Sequence, residues 1–215
     1  MKILFVTLEQ SARENLKVLL NNHYFLNNKD KFYTFGMSDE FLSFKDLTNI
    51  KIKSLMGLVD IIKNLSYLFD LRNSLNSVVK NNNFTHLFFI DSFDFSKFYL
   101  NKYKDKSIKF CQFIGPSVFI WKENKAKFIN KHFHHIFSIF EVERKFYNKE
   151  KYSYIGHPLL NNIVHINRDK YPIKNIGIFL GSRYQEIIYN IPIIDKLIKD
   201  LKRLDDFNFQ FYVTN

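Results

Sequence analysis

Cysteines, membrane spans and long apolar runs are scarce or missing in this sequence. The single cysteine, Cys111, excludes an intramolecular disulfide framework and fits a reducing cytoplasm. It lies in the apolar run IKFCQFI, where we expect a small core residue. No stretch approaches the roughly 18 consecutive apolar residues of a membrane span, and the N-terminal ILFV run is far too short for a signal peptide. The sequence therefore predicts a cytoplasmic chain that is soluble or peripherally bound to a membrane.

Metal-ligand spacing is missing as well. Three histidines cluster in HFHH (His132, His134 and His135), but no cysteine or close carboxylate accompanies them. We therefore predict no metal site and no cofactor.

Aromatic residues and positive charge are what the sequence has in abundance. It contains 25 Phe and 12 Tyr, and 32 Lys and Arg against 21 Asp and Glu give a net charge of +11. Such an excess favours anionic partners, which include nucleic acid, phosphorylated substrates and an anionic membrane surface. The bias towards Lys, Asn, Ile and Phe is also typical of an AT-rich genome, so the charge alone leaves the partner open.

Strand-like apolar runs alternate with helical segments along the whole chain, which predicts an α/β fold with a doubly wound parallel sheet. The polar segment 165–175, broken by Pro172, is the best candidate for a linker. We predict a Rossmann-like domain over residues 1–165 and one β-α-β unit over 166–215, which is too small to bury both faces of its own sheet. The predicted strands are 2–7, 31–37, 85–91, 108–115, 134–140, 152–156, 175–181 and 209–213, and the predicted helices are 11–22, 56–80, 125–133, 141–148 and 184–204.

Two carboxylates follow a buried strand in the block FFIDSFDF. Asp91 and Asp94 come just past the strand end, where ligands of an open α/β sheet bind and where a carboxylate can act as a general base. Either residue can instead cap the next helix, and the bare pattern favours the cap.

Three further blocks place polar groups at strand ends: FIGPSVFIW at 113–121, YIGHPLLNNI at 154–163 and IFLGSRYQEI at 178–187. Trp121 suits a sugar platform as well as it suits a core. A lone histidine such as His157 is more often structural than catalytic. Arg183 can pair with a phosphate at a helix N-terminus, or it can belong to an ordinary turn.

An apolar stripe of helical spacing runs through SLMGLVDIIKNLSYLF, close to several lysines. A helix that faces the core is the default interpretation, and a helix that lies on an anionic membrane is the alternative. The residues concerned are Met56, Leu58, Val59, Ile61, Ile62, Leu65, Leu68 and Phe69.

In this order and at this spacing, the blocks resemble the lipid-A-disaccharide synthase family. FFIDSFDF resembles the family's GIDxPDF, GPSVFIW its SPSVWAW with Phe119 in place of a tryptophan, and IFLGSRYQEI its LPGSRxxEI. GHP-L is a signature of the family, and LEQSARENL resembles its GExSGDxxG loop, with Ala12 and Arg13 as departures. Glu141 also departs, since a proline is usual there, whereas Glu143 and the following Phe-Tyr pair fit.

The resemblance implies a GT-B glycosyltransferase with two Rossmann-like domains, of which 1–165 is the acceptor side and 166–215 the start of the nucleotide-sugar side. It assigns catalysis to Asp91, leaves Asp94 as a cap, and assigns acyl-chain and membrane contact to the apolar stripe. The substrate or nucleotide contacts that it implies are Glu9, Ser11, Ser117, Trp121, His157, Ser182, Arg183 and Glu186.

The implied reaction transfers a diacylated glucosamine from UDP to the 6-hydroxyl of diacylglucosamine 1-phosphate, on the cytoplasmic face of the bacterial inner membrane. Family members continue through most of a uridine-binding domain, so we expect this chain alone to bind UDP weakly and to be inactive. The oligomeric state stays open between monomer and homodimer. Two alternatives are a UDP-N-acetylglucosamine 2-epimerase-like enzyme and a nucleic-acid-binding domain. Against nucleic acid, the aromatics follow core strands and do not interleave with Lys and Arg.

Overall fold

The computed structural model divides the chain into two compact units, Met1–Ile163 and Val164–Asn215. Each unit is described by itself below. The residues that the structure describes are 1–37, 43–53, 64–103, 107–120, 123–158, 160, 174–181, 184–204 and 206–212.

The first unit is built on a seven-stranded sheet in which every neighbouring pair of strands is parallel. The spatial order is β3-β2-β1-β4-β5-β6-β7, so the chain moves outward from β1 in one direction and then restarts beside β1 in the other. This confirms the predicted Rossmann-like, doubly wound fold. The strands are β1 Ile3–Val6, β2 Phe32–Phe35, β3 Lys45–Asp46, β4 His86–Ile90, β5 Lys109–Phe113, β6 His135–Ser138 and β7 Tyr152–Tyr154.

Continuous apolar runs form the central strands because both faces of the sheet are covered, as is usual for parallel sheets. The helices in this unit are α1 Gln10–Leu20, α2 His23–Leu26, α3 Leu65–Asn82, α4 Phe93–Leu100 and α5 Asn124–His132. One core packs α3, α4 and α5 on residues such as Leu4, Leu87 and Phe89. The other packs α1 on residues such as Ile3 and Phe5.

Several element predictions differ from the structure. The segment predicted as a helix over 141–148 is a 3-10 turn, Glu141–Phe146. Helix α3 begins at Leu65, and residues 56–63 of the predicted helix lie outside the described part of the chain. Helix α3 ends on Asn83, whose left-handed φ of 52° is a common way to stop a helix. Short α2 and β3 were not predicted, because elements of two to four residues carry little periodic signal.

The second unit has one β-α-β arrangement. Strands β8 Asn175–Phe179 and β9 Asn208–Tyr212 pair in parallel and flank helix α6, Tyr184–Leu201. The rings of Phe179 and Tyr212 stack at 5.0 Å between centroids. No described helix in either unit is long and apolar enough to cross a membrane.

Candidate functional site

The carboxyl ends of β1 and β4 meet at the point where the strand order reverses. These strands are parallel neighbours, although about 80 residues of sequence separate paired positions such as Val6 and Phe89. Open α/β sheets bind their ligands in the crevice at such a point. Glu9, which follows β1, and Asp91, which follows β4, therefore lie on the segments that border this crevice.

Asp91 has an unusual backbone conformation and a half-buried side chain. Its φ is +54°, and its backbone N–H donates to the carbonyl oxygen of Phe113 at 2.8 Å. The carboxylate Oδ1 accepts a hydrogen bond from the backbone N–H of Ser92 at 3.0 Å. Burial raises the pKa of the Asp91 carboxyl, and the Ser92 hydrogen bond offsets part of that rise. A raised pKa makes the ionised carboxylate a better proton acceptor.

Neither aspartate of FFIDSFDF is the N-cap of α4. The N-cap residue is Ser92, and it makes no side-chain capping bond. The predicted cap at Asp94 is therefore wrong: Asp94 lies in the first turn of the helix, is exposed, and pairs with Lys125 at 3.1 Å. A carboxylate in the first turn still interacts favourably with the helix dipole.

Left-handed backbone is concentrated at the ends of β4 and β5. Asp91, Ser92 and Ile114 have φ values of 54°, 47° and 60°. For a β-branched residue such as Ile114 this conformation is a genuine outlier. Strained backbone of this kind persists only where surrounding contacts hold it, and it clusters at functional sites. Three residues with left-handed backbone thus lie at the strand ends that border the crevice.

The PSV segment after β5 is anchored by a buried carboxylate that the sequence interpretation had given no role. Glu143, which is 1% exposed, accepts hydrogen bonds from the Val118 N–H at 3.1 Å and from the Ser138 Oγ at 2.6 Å. Burial raises the pKa of Glu143, and these two hydrogen bonds counteract it. Ser117 is half-buried beside this anchor, and Trp121 lies outside the described residues. The match of Glu143 to the family's pattern was the sequence signal that could have identified this residue.

Two residues after β1, Ser11 and Arg13, differ from the sequence prediction or from the family's pattern. In the sequence, Ser11 after LEQ is the predicted cap of the helix that follows. That prediction is wrong, because α1 begins at Gln10 with Glu9 as its N-cap and Ser11 is exposed within the first turn. Arg13, which replaces the family's aspartate, donates from its Nε to the Gly36 carbonyl oxygen at 2.7 Å. Gly36 has φ +95°, and a Cβ there would lie 1.7 Å from the carbonyl oxygen of Thr7. Arg13 thus ties α1 to the end of β2.

His157 lines an apolar cavity of about 620 Å³ on the α1 side of the sheet. Gly156 and Pro158 flank it there, and phenylalanines from the strands, such as Phe88 and Phe137, form much of the wall. The carbonyl oxygen of His157 accepts a hydrogen bond from the backbone N–H of Leu160 at 3.0 Å. Asp91 is not among the described residues that line this cavity.

The apolar stripe of α3 is divided between core and surface. The buried face carries Tyr67, Leu71, Leu75, Val78 and Val79. Leu68 is half-buried against that core, whereas Leu65 and Phe69 are exposed at 48% and 43%. The core interpretation is therefore wrong for Leu65 and Phe69. The remaining members of the stripe lie outside the described residues: Met56, Leu58, Val59, Ile61 and Ile62.

On the second unit, the structure describes little of the predicted phosphate site. Ser182 and Arg183 lie outside the described residues, and Glu186 is described only as part of α6, not for its side chain. Across the described part of both units, no group of three or more His, Cys, Asp or Glu side chains could hold a metal ion.

The fold and the site define a Rossmann-like α/β domain with a carboxylate at the switch point, the class that includes the domains of GT-B glycosyltransferases. A solved structure described as the glycotransferase of kitacinnamycin shares the fold. Its TM-score is 0.53 at 8% identity, over 98% of this chain and 65% of that chain.

The chain belongs to the lipid-A-disaccharide synthetase family, whose model matches residues 3–215. A lipid-A-disaccharide synthase of Francisella tularensis subsp. novicida (strain U112) is 28% identical over an alignment of 181 positions, which covers 78% of this chain and 47% of that protein. The synthase of Francisella tularensis subsp. tularensis (strain WY96-3418) gives the same values. The chain thus spans about half the length of the curated relatives it matches.

Proposed function

We propose that the protein carrying this chain is an inverting glycosyltransferase of lipid A biosynthesis. The observation that carries the proposal is a half-buried carboxylate, Asp91, held in left-handed backbone at the switch point of a chain that belongs to this family. The unit Met1–Ile163 would hold the acceptor, and Val164–Asn215 would contribute to binding the UDP-sugar donor.

In the proposed reaction the donor is UDP-2,3-diacylglucosamine and the acceptor is 2,3-diacylglucosamine 1-phosphate. The Asp91 carboxylate takes the proton of the acceptor's 6-hydroxyl group as that oxygen forms a bond to the anomeric carbon of the donor. The bond between the anomeric carbon and the UDP oxygen breaks, and UDP leaves with the electron pair. A single displacement of this kind inverts the anomeric carbon and gives the β-linked disaccharide 1-phosphate.

Other residues would bind the substrates. Ser117 and Trp121 follow β5 on the acceptor side, and Glu9 and Ser11 follow β1. For the donor diphosphate we propose Ser182, Arg183 and Glu186, because the N-terminus of α6 offers free N–H groups and Arg183 can pair with phosphate oxygens. His157 would contact substrate from the cavity that it lines on the α1 side of the sheet.

Asp91→Asn in the complete gene product tests the base. The amide keeps the shape but accepts no proton, so we expect turnover to fall about 10²- to 10⁴-fold with little loss of stability. Asp94→Asn is the matched control, since this exposed aspartate lies only three residues away. Near-normal turnover of Asp91→Asn with labelled acceptor would contradict the assignment.

The pH profile gives a second check on Asp91. The base must be ionised, and burial raises its pKa. Activity should therefore rise with pH through a value above about 3.9, the ordinary pKa of an aspartate. The rise should be missing from whatever activity Asp91→Asn retains.

We also propose that the start of α3 contacts an anionic membrane, on the cytoplasmic face of the inner membrane. Exposed Leu65 and Phe69 support this, since apolar side chains beside basic residues favour an anionic interface. Replacing both with Ser should release the protein from anionic vesicles in a flotation assay. The control replaces Val142 and Tyr154, which are similarly exposed elsewhere on this unit. Unchanged flotation of the Leu65 and Phe69 variant would reject the contact.

A further inference from the structure

A fully buried amide lies directly behind the strained turn that carries Asp91. Gln112 occupies the apolar strand β5, and its side chain has no solvent exposure. Its Nε2 donates one hydrogen bond to the carbonyl oxygen of Asp91 at 2.6 Å and another to the carbonyl oxygen of Ile114 at 3.1 Å. The one side chain therefore contacts the turn after β4 and the turn after β5.

The chemistry of its partners fixes the orientation of this amide. Carbonyl oxygens only accept hydrogen bonds, so the nitrogen and not the oxygen of Gln112 must face Asp91 and Ile114. On the other side, Gln112 Oε1 lies 3.3 Å from the hydroxyl of Ser96. The single proton of that hydroxyl is shared between Gln112 Oε1 and the Phe93 carbonyl oxygen, which lies 2.8 Å away. Ser96 is fully buried in α4. The amide is thus held between the two strand ends and the helix that follows Asp91.

The two carbonyl oxygens belong to residues with left-handed backbone. Asp91 has φ +54° and Ile114 has φ +60°. An apolar side chain at position 112 would donate no hydrogen bond to either oxygen, so both of these hydrogen bonds would be lost. Relaxation of Asp91 to an ordinary backbone conformation would turn its carboxylate away from its present direction. A conformation that is costly locally needs such a contact to persist.

We propose that Gln112 is a positioning residue, whose amide joins the ends of β4 and β5 and thereby fixes the Asp91 carboxylate at the crevice. This inference rests on the proposed function of Asp91 as the base. The Gln112 side chain has no solvent exposure, so we expect it to act through Asp91 and not by contacting substrate. A misplacement of about 1 Å can cost about 100-fold in rate, so the effect of Gln112 should fall on turnover and not on substrate affinity.

Gln112→Met in the complete gene product tests the proposal, because methionine keeps the length and removes both donors. We expect kcat to fall at least about tenfold, while KM stays within about twofold. The matched control is Thr34→Val. Thr34 is also a buried polar residue of a strand, and its substitution also removes a hydrogen bond, to Asp46 Oδ1 at 2.8 Å. It lies on β2, which is not next to β4 or β5. If both variants lose stability and neither loses kcat, Gln112 is merely structural.

A direct measurement on Asp91 separates this inference from the proposed function. With ¹³C-labelled aspartate, the Asp91 carboxyl signal is assigned by its loss in Asp91→Asn and then titrated. In Gln112→Met we expect the titration to move towards that of an ordinary aspartate, and in Thr34→Val we expect no change. An unchanged titration in Gln112→Met would overturn the inference, whatever the activity of Asp91→Asn proves to be.

The double variant Asp91→Asn with Gln112→Met shows whether the two residues act as a unit. If Gln112 acts through Asp91, its substitution adds little further loss of kcat once the carboxylate is gone. Fully additive losses would show that Gln112 acts elsewhere and would overturn the proposal.

Should Gln112→Met fail to fold, Gln112→His keeps one N–H donor near the same place. We expect it to retain more kcat than Gln112→Leu, and equal losses would count against the proposal.

Discussion

The two compact units use similar strand sequences but bury them to very different degrees. In β4 of the larger unit, Phe89 and Ile90 are fully buried between helices on both faces. In β8 of the smaller unit, Ile178 is buried but Phe179 is 75% exposed. The larger unit has seven strands with α1 on one face and α3, α4 and α5 on the other. The smaller unit has two strands and one helix among its described residues.

This difference shows that the burial of a strand's side chains depends on how many helices and strands pack against it, and not on how apolar the strand is. One helix covers at most one face of a two-stranded sheet, so half of its apolar side chains have no partner within the unit. Helix α6 shows the same effect, because many of its apolar residues are exposed. They are Ile188, Tyr189, Ile191, Ile193 and Leu197. The first unit therefore has a self-contained core, and the described part of the second has none.

Separating the units should give the largest effect. We expect residues 1–163 to fold alone with a cooperative unfolding transition, because that unit contains both cores. Residues 164–215 should stay unfolded, because a unit of about 50 residues with so much exposed apolar surface cannot offset its chain entropy. Circular dichroism and amide-proton dispersion of the two pieces would measure this. A well-dispersed spectrum from residues 164–215 would contradict the prediction that this unit does not fold alone.

A pair of leucine substitutions probes the same contrast within the intact chain. Leu75 is fully buried in α3, whereas Leu197 is about half exposed in α6. Leu75→Ala should lower the free energy of unfolding by about 2–5 kcal/mol. Leu197→Ala should change it by no more than about 0.5 kcal/mol. Urea unfolding at 25 °C is the measurement, and equal effects would show that α6 is packed as tightly as α3.

Carboxylates of the two units should differ in how stability depends on pH. Glu143 is buried against the neutral donors of Val118 and Ser138, and its pKa is raised in the folded state. Its contribution is then fully present below the unfolded pKa and is lost as pH rises through the folded pKa. A glutamine side chain at this position would not titrate. Its Oε1 can accept from the Val118 N–H, and its Nε2 can donate to the Ser138 Oγ, whose own proton then goes to the Phe140 carbonyl oxygen. Glu143→Gln should therefore gain stability relative to the parent as pH rises from about 4 towards neutrality.

The control for that experiment is Asp195→Asn in α6. Asp195 is exposed and pairs with Lys199 at 2.6 Å on the helix surface, and such pairs contribute little to stability. Its substitution should leave the pH dependence of unfolding nearly unchanged. A pH-independent difference between Glu143→Gln and the parent would contradict the burial argument.

Nucleotide binding should give the smallest signal. A Rossmann-like nucleotide site is formed by several strand ends, and the described second unit supplies one β-α-β arrangement. We expect calorimetry of the 215-residue chain with UDP to show binding no tighter than about 1 mM, at about −4 kcal/mol, and assays of this chain alone to give no product. Tight UDP binding or product formation would show that this unit forms a working donor site.

Much of the fold could be predicted from local pattern. The runs KILFVT and THLFFID indicated buried parallel strands, and their alternation with helical segments indicated the doubly wound sheet. The boundary of α3 and the type of the 141–146 turn could not be predicted. Amphipathic spacing does not say where a helix starts, and a 3-10 turn shares the composition of a short helix. The exposure of Phe69 could not be predicted either, because the helical spacing of Leu65, Leu68 and Phe69 fits a face that packs on the core as well as a face on the surface.

The sequence by itself determined the order of strands and helices and the position of Asp91 at a strand end, because periodicity and strand-ending residues are local properties of the chain. Only the tertiary structure decided that Asp91 adopts left-handed backbone and that Gln112 holds it. In the run FCQFI, Gln112 is the one polar residue among apolar ones. Its hydrogen bond to Asp91 joins residues 21 positions apart. That contact exists because β5 pairs in register beside β4, and register is set by the packing of the whole sheet.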